Sequence, residues 1–131
     1  MITEKTNILL SEILNSQGFI NIDQNDIDNF KANIEEIDAE KVSGKNEDVD
    51  IMLDDAITTI KKRHGHEQMI KMLFVIRLSQ ENSLMEHISS VYDVIDKQSE
   101  DLECQWGLST MEHLRGDHLE LIVVIGFKND K

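Results

Sequence analysis

The sequence predicts an α/β (α+β) fold, a mixed four-stranded sheet with helices packed on it as a two-layer sandwich. Three observations carry this. Met69 to Leu78 and Leu119 to Phe127 are almost continuously apolar, as strands covered on both faces are. Val49, Met52, Leu53, Ala56, Ile57 and Ile60 recur with the 3.6-residue period of a helix. Leu102, Cys104, Trp106 and Leu108 alternate with Glu103, Gln105 and Gly107, the period of a half-buried strand.

In chain order, residues 4–16 predict a helix with Leu9, Leu10, Ile13 and Leu14 on one side, and Gly18 as its stop. Asp23 is placed to cap a second helix whose apolar stripe is Ile27, Phe30 and Ile34. A short edge strand is expected around Ile37, followed by a loop at Ser43-Gly44-Lys45-Asn46. The helix from Val49 ends on Lys61, Lys62, Arg63 and His64, where cations suit the carbonyl end of the helix dipole. After the strand Met69 to Leu78, Ser83 and Glu86 form a capping-box pattern. The helix it opens carries Leu84, Ile88, Val91, Tyr92 and Ile95 on its apolar side. Arg115-Gly116-Asp117 is expected to turn the chain between the last two strands as an antiparallel hairpin.

Composition limits the function classes. The chain has 131 residues, enough for one domain with one substantial core. Thirteen basic against 26 acidic residues leave a net charge of −13, which repels phosphate backbones and anionic lipid. No nucleic-acid partner and no direct membrane contact are therefore expected. Hydrophobic residues make up 40 %, too many for wholesale disorder. There is no proline and a single cysteine, Cys104, so no internal disulfide; together with the missing signal pattern this predicts a cytoplasmic protein.

Phosphate-cradling motifs are absent: neither G-x-x-x-x-G-K-S/T nor G-x-G-x-x-G occurs. His64 and His66 are near enough in sequence to share a metal ion, but a solvated basic helix end explains them more simply, and no metal site is expected. Glu112-His113 and Asp117-His118 read as hairpin surface, Cys104 as a buried thiol and Trp106 as a core anchor. Asp23 and Asp26 stand three apart, which brings both carboxylates to one side of a helix start. On spacing alone they are an ordinary N-cap and first-turn acid.

The segment Gly18-Phe19-Ile20-Asn21-Ile22-Asp23-Gln24-Asn25-Asp26-Ile27 resembles the synergy loop of the tubulin-like division protein family FtsZ. The family's Asn-x-Asp-x-x-Asp spacing is kept at Asn21, Asp23 and Asp26, and Gln24-Asn25 stand where the family has Phe-Ala. Other segments follow in the family's order: the Gly44 loop with the helix motif that closes on Ala56-Ile57, the strand to Leu78 with Asn82 to Glu86, the Gly107 strand, and Ile122 to Phe127. The resemblance implies that 1–17 is the end of a long central helix and 18–131 the C-terminal domain, without the GTP-binding domain. It also implies cell division as the process and FtsZ-like subunits stacked head to tail as partners. Asn21, Asp23 and Asp26 would then be the catalytic residues, facing GTP and Mg²⁺ held on the missing domain or a neighbouring subunit, with no cofactor bound by this chain. The parent protein would be a GTP hydrolase, and this chain alone would not be an enzyme. The alternative is a free-standing interaction or filament-capping module with no catalytic part.

Overall fold

The structure, a computed structural model, describes residues 3–15, 22–65, 67–82, 87–98 and 102–129. The elements are α1 (Glu4–Leu14), α2 (Gln24–Lys31), β1 (Glu36–Lys45), a 3₁₀ turn (Asn46–Asp48), α3 (Val49–His64), β2 (Glu67–Leu78), α4 (Ile88–Asp96), β3 (Glu103–Thr110) and β4 (His118–Asn129). The four strands form one mixed sheet in the order β1-β4-β2-β3. The fold class is the one the sequence predicts.

Strand alternation divides the side chains between two covers. On the first face Met72, Phe74, Ile76, Leu119, Leu121, Val123, Ile125 and Phe127 meet Leu53, Ile57 and Ile60 of α3 and Val91 and Val94 of α4. Sheet, α3 and α4 make the expected two-layer sandwich. On the opposite face Leu73, Val75, Ile122, Val124, Ile37 and Ala39 meet Leu9, Leu10 and Ile13 of α1 and Ile27 and Phe30 of α2. The two leading helices thus add a second, separate cover.

Three expectations need correction. The last two strands are not a hairpin: β4 pairs antiparallel with β1 and β2, and β3 pairs only with β2, in parallel. The reason is the helix between β2 and β3. A strand–helix–strand unit returns the chain parallel to its start, and the strand buried on both faces takes the centre of the sheet. Second, β1 is ten residues long and absorbs Ser43-Gly44-Lys45, which the sequence assigns to a loop. At Gly44 the strand runs close under α3, where a Cβ would sit 2.7 Å from the Met52 sulfur. Third, Tyr92 does not face the core. It is 47 % exposed and touches Trp106 edge-on, with ring centroids 6.2 Å apart. Trp106 is half-buried and stacks on Phe74.

Gly18, His66, Leu84 and the Ser83–Glu86 capping box lie outside the described residues. Among the described residues no helix is long and apolar enough to cross a membrane.

Candidate functional site

The site begins with the start of α2. Asp23 is its N-cap, in extended backbone (φ −108°, ψ 178°). The Asp26 N–H donates to Asp23 Oδ1 at 2.9 Å, and the Asp23 N–H donates to Asp26 Oδ2 at 3.0 Å. This reciprocal capping box satisfies two backbone donors that the helix start leaves unpaired. It also fixes both carboxylates, leaving one oxygen of each outside the box. The Asp26 carboxyl is held below its ordinary value of 3.8, first by the Asp23 N–H and then by the nearby Gln105 side chain on β3. Asn21, the third residue of the candidate set, lies outside the described residues.

The rest of α2 holds this start against the sheet. Ile22, Ile27 and Phe30 are buried in the cluster on the second face. At the other end of the helix, Lys71 Nζ donates to the Asn29 carbonyl at 2.8 Å and the Ala32 carbonyl at 3.0 Å. A cation there satisfies orphan carbonyls and complements the helix dipole. Between α2 and the β2–β3 edge is an open cavity of about 320 Å³, lined by Asn29, Phe30, Lys71, Glu103, Cys104 and Gln105. Burial pushes the Cys104 thiol up to about 11, which leaves it protonated and a poor nucleophile at neutral pH.

A second polar cluster ties α1 to the same face. Arg77 is 5 % exposed, and its guanidinium lies 3.5 Å from Glu12 Oε1 on α1 and 3.1 Å from Glu120 Oε1 on β4. The Glu120 contact is too oblique for a hydrogen bond, and among the described residues Arg77 Nε has no hydrogen-bond partner. Lys41 also reaches Glu12, at 2.9 Å, and His113 reaches Glu120, at 2.9 Å. Burial raises the Glu120 carboxyl, but His113, Lys41 and Arg77 outweigh it and set the group below its ordinary 4.5.

His64 is not the solvated helix end that its sequence suggests. Its side chain is 13 % exposed and stacks on Phe127. Nε2 lies 3.0 Å from Asp38 Oδ2 and Nδ1 2.9 Å from Glu67 Oε1. The two nitrogens address different carboxylates, so the trio does not converge on one point. Among the described residues no group of three or more His, Cys, Asp or Glu is arranged to hold a metal ion.

The cap expected at Asp23 is present with Asp26 beside it, whereas the sequence alone does not bring Gln105, Lys71 and Arg77 to this face. Lys71 and Arg77 do carry a signal, because each is a cation interrupting a strand that is otherwise nearly all apolar.

No protein-family model matches the chain, and no curated protein matches it. Solved structures do. An FtsZ mutant from M. jannaschii superposes with a TM-score of 0.65 at 16 % identity, covering 96 % of this chain and 42 % of that one. An empty FtsZ dimer from M. jannaschii gives 0.55 at 15 % identity, covering 89 % and 34 %. This chain therefore spans roughly two fifths or less of the FtsZ chains it resembles and shares the fold of that part.

Proposed function

We propose that this chain is the C-terminal, assembly-driving part of an FtsZ-like cytoskeletal GTPase. In this reading Asn21, Asp23 and Asp26 complete the site of a GTP bound on the adjacent, head-to-tail subunit. The observation that carries it is the Asp23–Asp26 box: two carboxylates locked at the surface on a helix anchored to the sheet, within a fold shared with FtsZ. The donor set fits one half of such a site and not the other. Carboxylates only accept hydrogen bonds, so Asp23 and Asp26 cannot cradle a phosphate, but they can hold a water by its protons or face a cation. When bound next door, GTP would supply the phosphoryl group and Mg²⁺ the compensating charge.

The contribution of this chain is then positional. Asp26, held ionised by the Asp23 N–H and Gln105, keeps its acceptor capacity at any pH above the ordinary carboxylate range. Asp23 is fixed against it by the box. Groups that orient and polarise a water in this way are worth about 10²–10⁴ in rate. Neither half of the site works alone, which would couple hydrolysis to assembly. The isolated chain is expected to bind no GTP, and micromolar binding by calorimetry would contradict this.

The same box gives both acids a structural job, which favours a second reading, a filament-capping module without catalysis. One pair of variants separates the two. Asn is as good an N-cap as Asp, whereas Ala removes the cap. With the chain added to an FtsZ GTPase, the catalytic reading expects Asp23→Asn and Asp23→Ala both to abolish any gain in GTP turnover. A pure cap would leave Asp23→Asn equal to wild type.

A further inference from the structure

We propose that Lys71 is a positioning residue for the Asp23–Asp26 pair, the head of a seat on the sheet that sets the direction of α2; its functional half rests on the reading of that pair given above. Three features of one row across the sheet converge on the C-terminal end of α2. The first is the pair of bonds from Lys71 Nζ to the Asn29 and Ala32 carbonyls.

The second is a β-bulge. The pairing of β2 with β4 runs Met69 to Phe127 and then Lys71 to Gly126, leaving Ile70 as the extra residue. Met69 consequently packs with the first-face core, while Lys71 points to the second face. A bulge re-aims a side chain in this way, and without it Met69 and Lys71 would share a face.

The third is Gly126, directly opposite Lys71. A Cβ there would lie 2.7 Å from Ile34 Cδ1 and 3.1–3.2 Å from both Cγ atoms. The glycine is thus a socket for Ile34, which follows α2 in the chain. Lysine and socket together fix where the helix ends, and Gln105 meets Asp26 where it begins.

Lever length gives the seat its effect. Eight residues at 1.5 Å each make α2 about 12 Å long, so a tilt of roughly 10° about the seat moves Asp23 by ~2 Å. Misplacement by about 1 Å can cost on the order of 10²-fold in a positioned reaction. The capping box is internal to the helix and would travel with it. The Gln105 contact, the packing of Ile22 and Ile27 on the second face, and the site next door register the tilt.

The test uses the full chain as Lys71→Met and Lys71→Arg, with Gly126→Ala as an independent route to the same displacement. By NMR, without nucleotide, Lys71→Met should lose the contact between the Gln105 amide and Asp26. It should also move the Asp26 carboxyl titration up towards 3.8. Lys71→Arg, which can still donate to both carbonyls, should restore both signals, and Gly126→Ala should repeat the loss. In GTP turnover with an FtsZ GTPase, Lys71→Met should cut the gain in kcat that the wild-type chain gives by on the order of 10²-fold, with KM changed less than about twofold. An unchanged Gln105 contact and Asp26 titration in Lys71→Met would overturn the inference. NMR changes with turnover unaffected by Asp23→Asn would uphold the seat and sink the catalytic reading instead.

Discussion

The two faces of the sheet are built by different rules. Under α3 and α4 the middle of the sheet is apolar, from Met72 and Phe74 to Leu121 and Ile125, and charge lies at the β1 edge, where Asp38 and Glu40 meet Arg63 and His64. Under α1 and α2 the same strands carry buried or half-buried charge, with Arg77 and Lys71 on β2 and Glu120 on β4. Hydrophobic contact is non-directional and supplies most of the stability. Hydrogen bonds and ion pairs add little net energy, but they demand particular geometries. The first face holds the domain together, and the second holds two helices at set angles. The candidate site lies on the second.

The two faces should differ most at Phe74 and Arg77. Phe74→Ala should cost ~3–5 kcal/mol in urea unfolding, because it empties a fully buried first-face position. Met72→Leu on the same face should cost less than about 1.5 kcal/mol, since volume is kept. Arg77→Met also keeps much of its volume, yet is expected to cost ~2 kcal/mol, because Glu120 and Glu12 would lose their most buried cation and Glu120 would keep only the more exposed His113 and Lys41. If Arg77→Met and Met72→Leu cost the same, the two faces do not differ.

At the site the effects are smaller and more informative. Asp23→Ala should lower stability by about 1 kcal/mol and Asp23→Asn by a few tenths at most, by the same unfolding measurement.

The pH profile carries a sign. Asp38, Glu40 and Glu120 are each raised by burial but lowered further by their partners, which are His64 and Arg63, Lys5 and Arg63, and His113 with Lys41 and Arg77. Groups lower in the folded state stabilise above their ordinary values, here 3.8 and 4.5, and lose that contribution as pH falls through the folded values. Urea midpoints should be flat on the acid side down to about pH 5 and decline below it. A midpoint that rose between pH 5 and 3 would contradict these pairings. The smallest effect is salt. Lys5–Glu40 and Glu12–Lys41 are partly exposed, so amide exchange in α1 should quicken modestly in molar salt, while that in the middle of α3, held by Leu53 and Ile57 in the apolar core, does not.

These contrasts also explain what the sequence discloses. The periodicity of Val49 to Ile60 and the apolar run Leu119 to Phe127 carry their own signal, because burial on a face repeats along the chain. Asp23 is legible as a cap because a helix start is local chemistry. Strand order is not local, and the hairpin expected at Arg115-Gly116-Asp117 gives way to a central β4 that pairs with β1 and β2. Gly44 resembles a loop glycine until Met52 of α3 is seen against it. His64 resembles a solvated end until Asp38 and Glu67 are brought to it from two strands. Lys71 and Gln105 are hidden for the same reason, since a cation and an amide on strands gain meaning only from a helix about 40 or more residues earlier in the chain.

The central claim is that the Asp23 carboxylate acts on a neighbour's nucleotide beyond capping α2. The most direct measurement is GTP turnover by an FtsZ GTPase with the wild-type chain and with Asp23→Asn, at equal stability of the two. Wild type is expected to raise turnover and Asp23→Asn is not. Equal turnover with both proteins would contradict it.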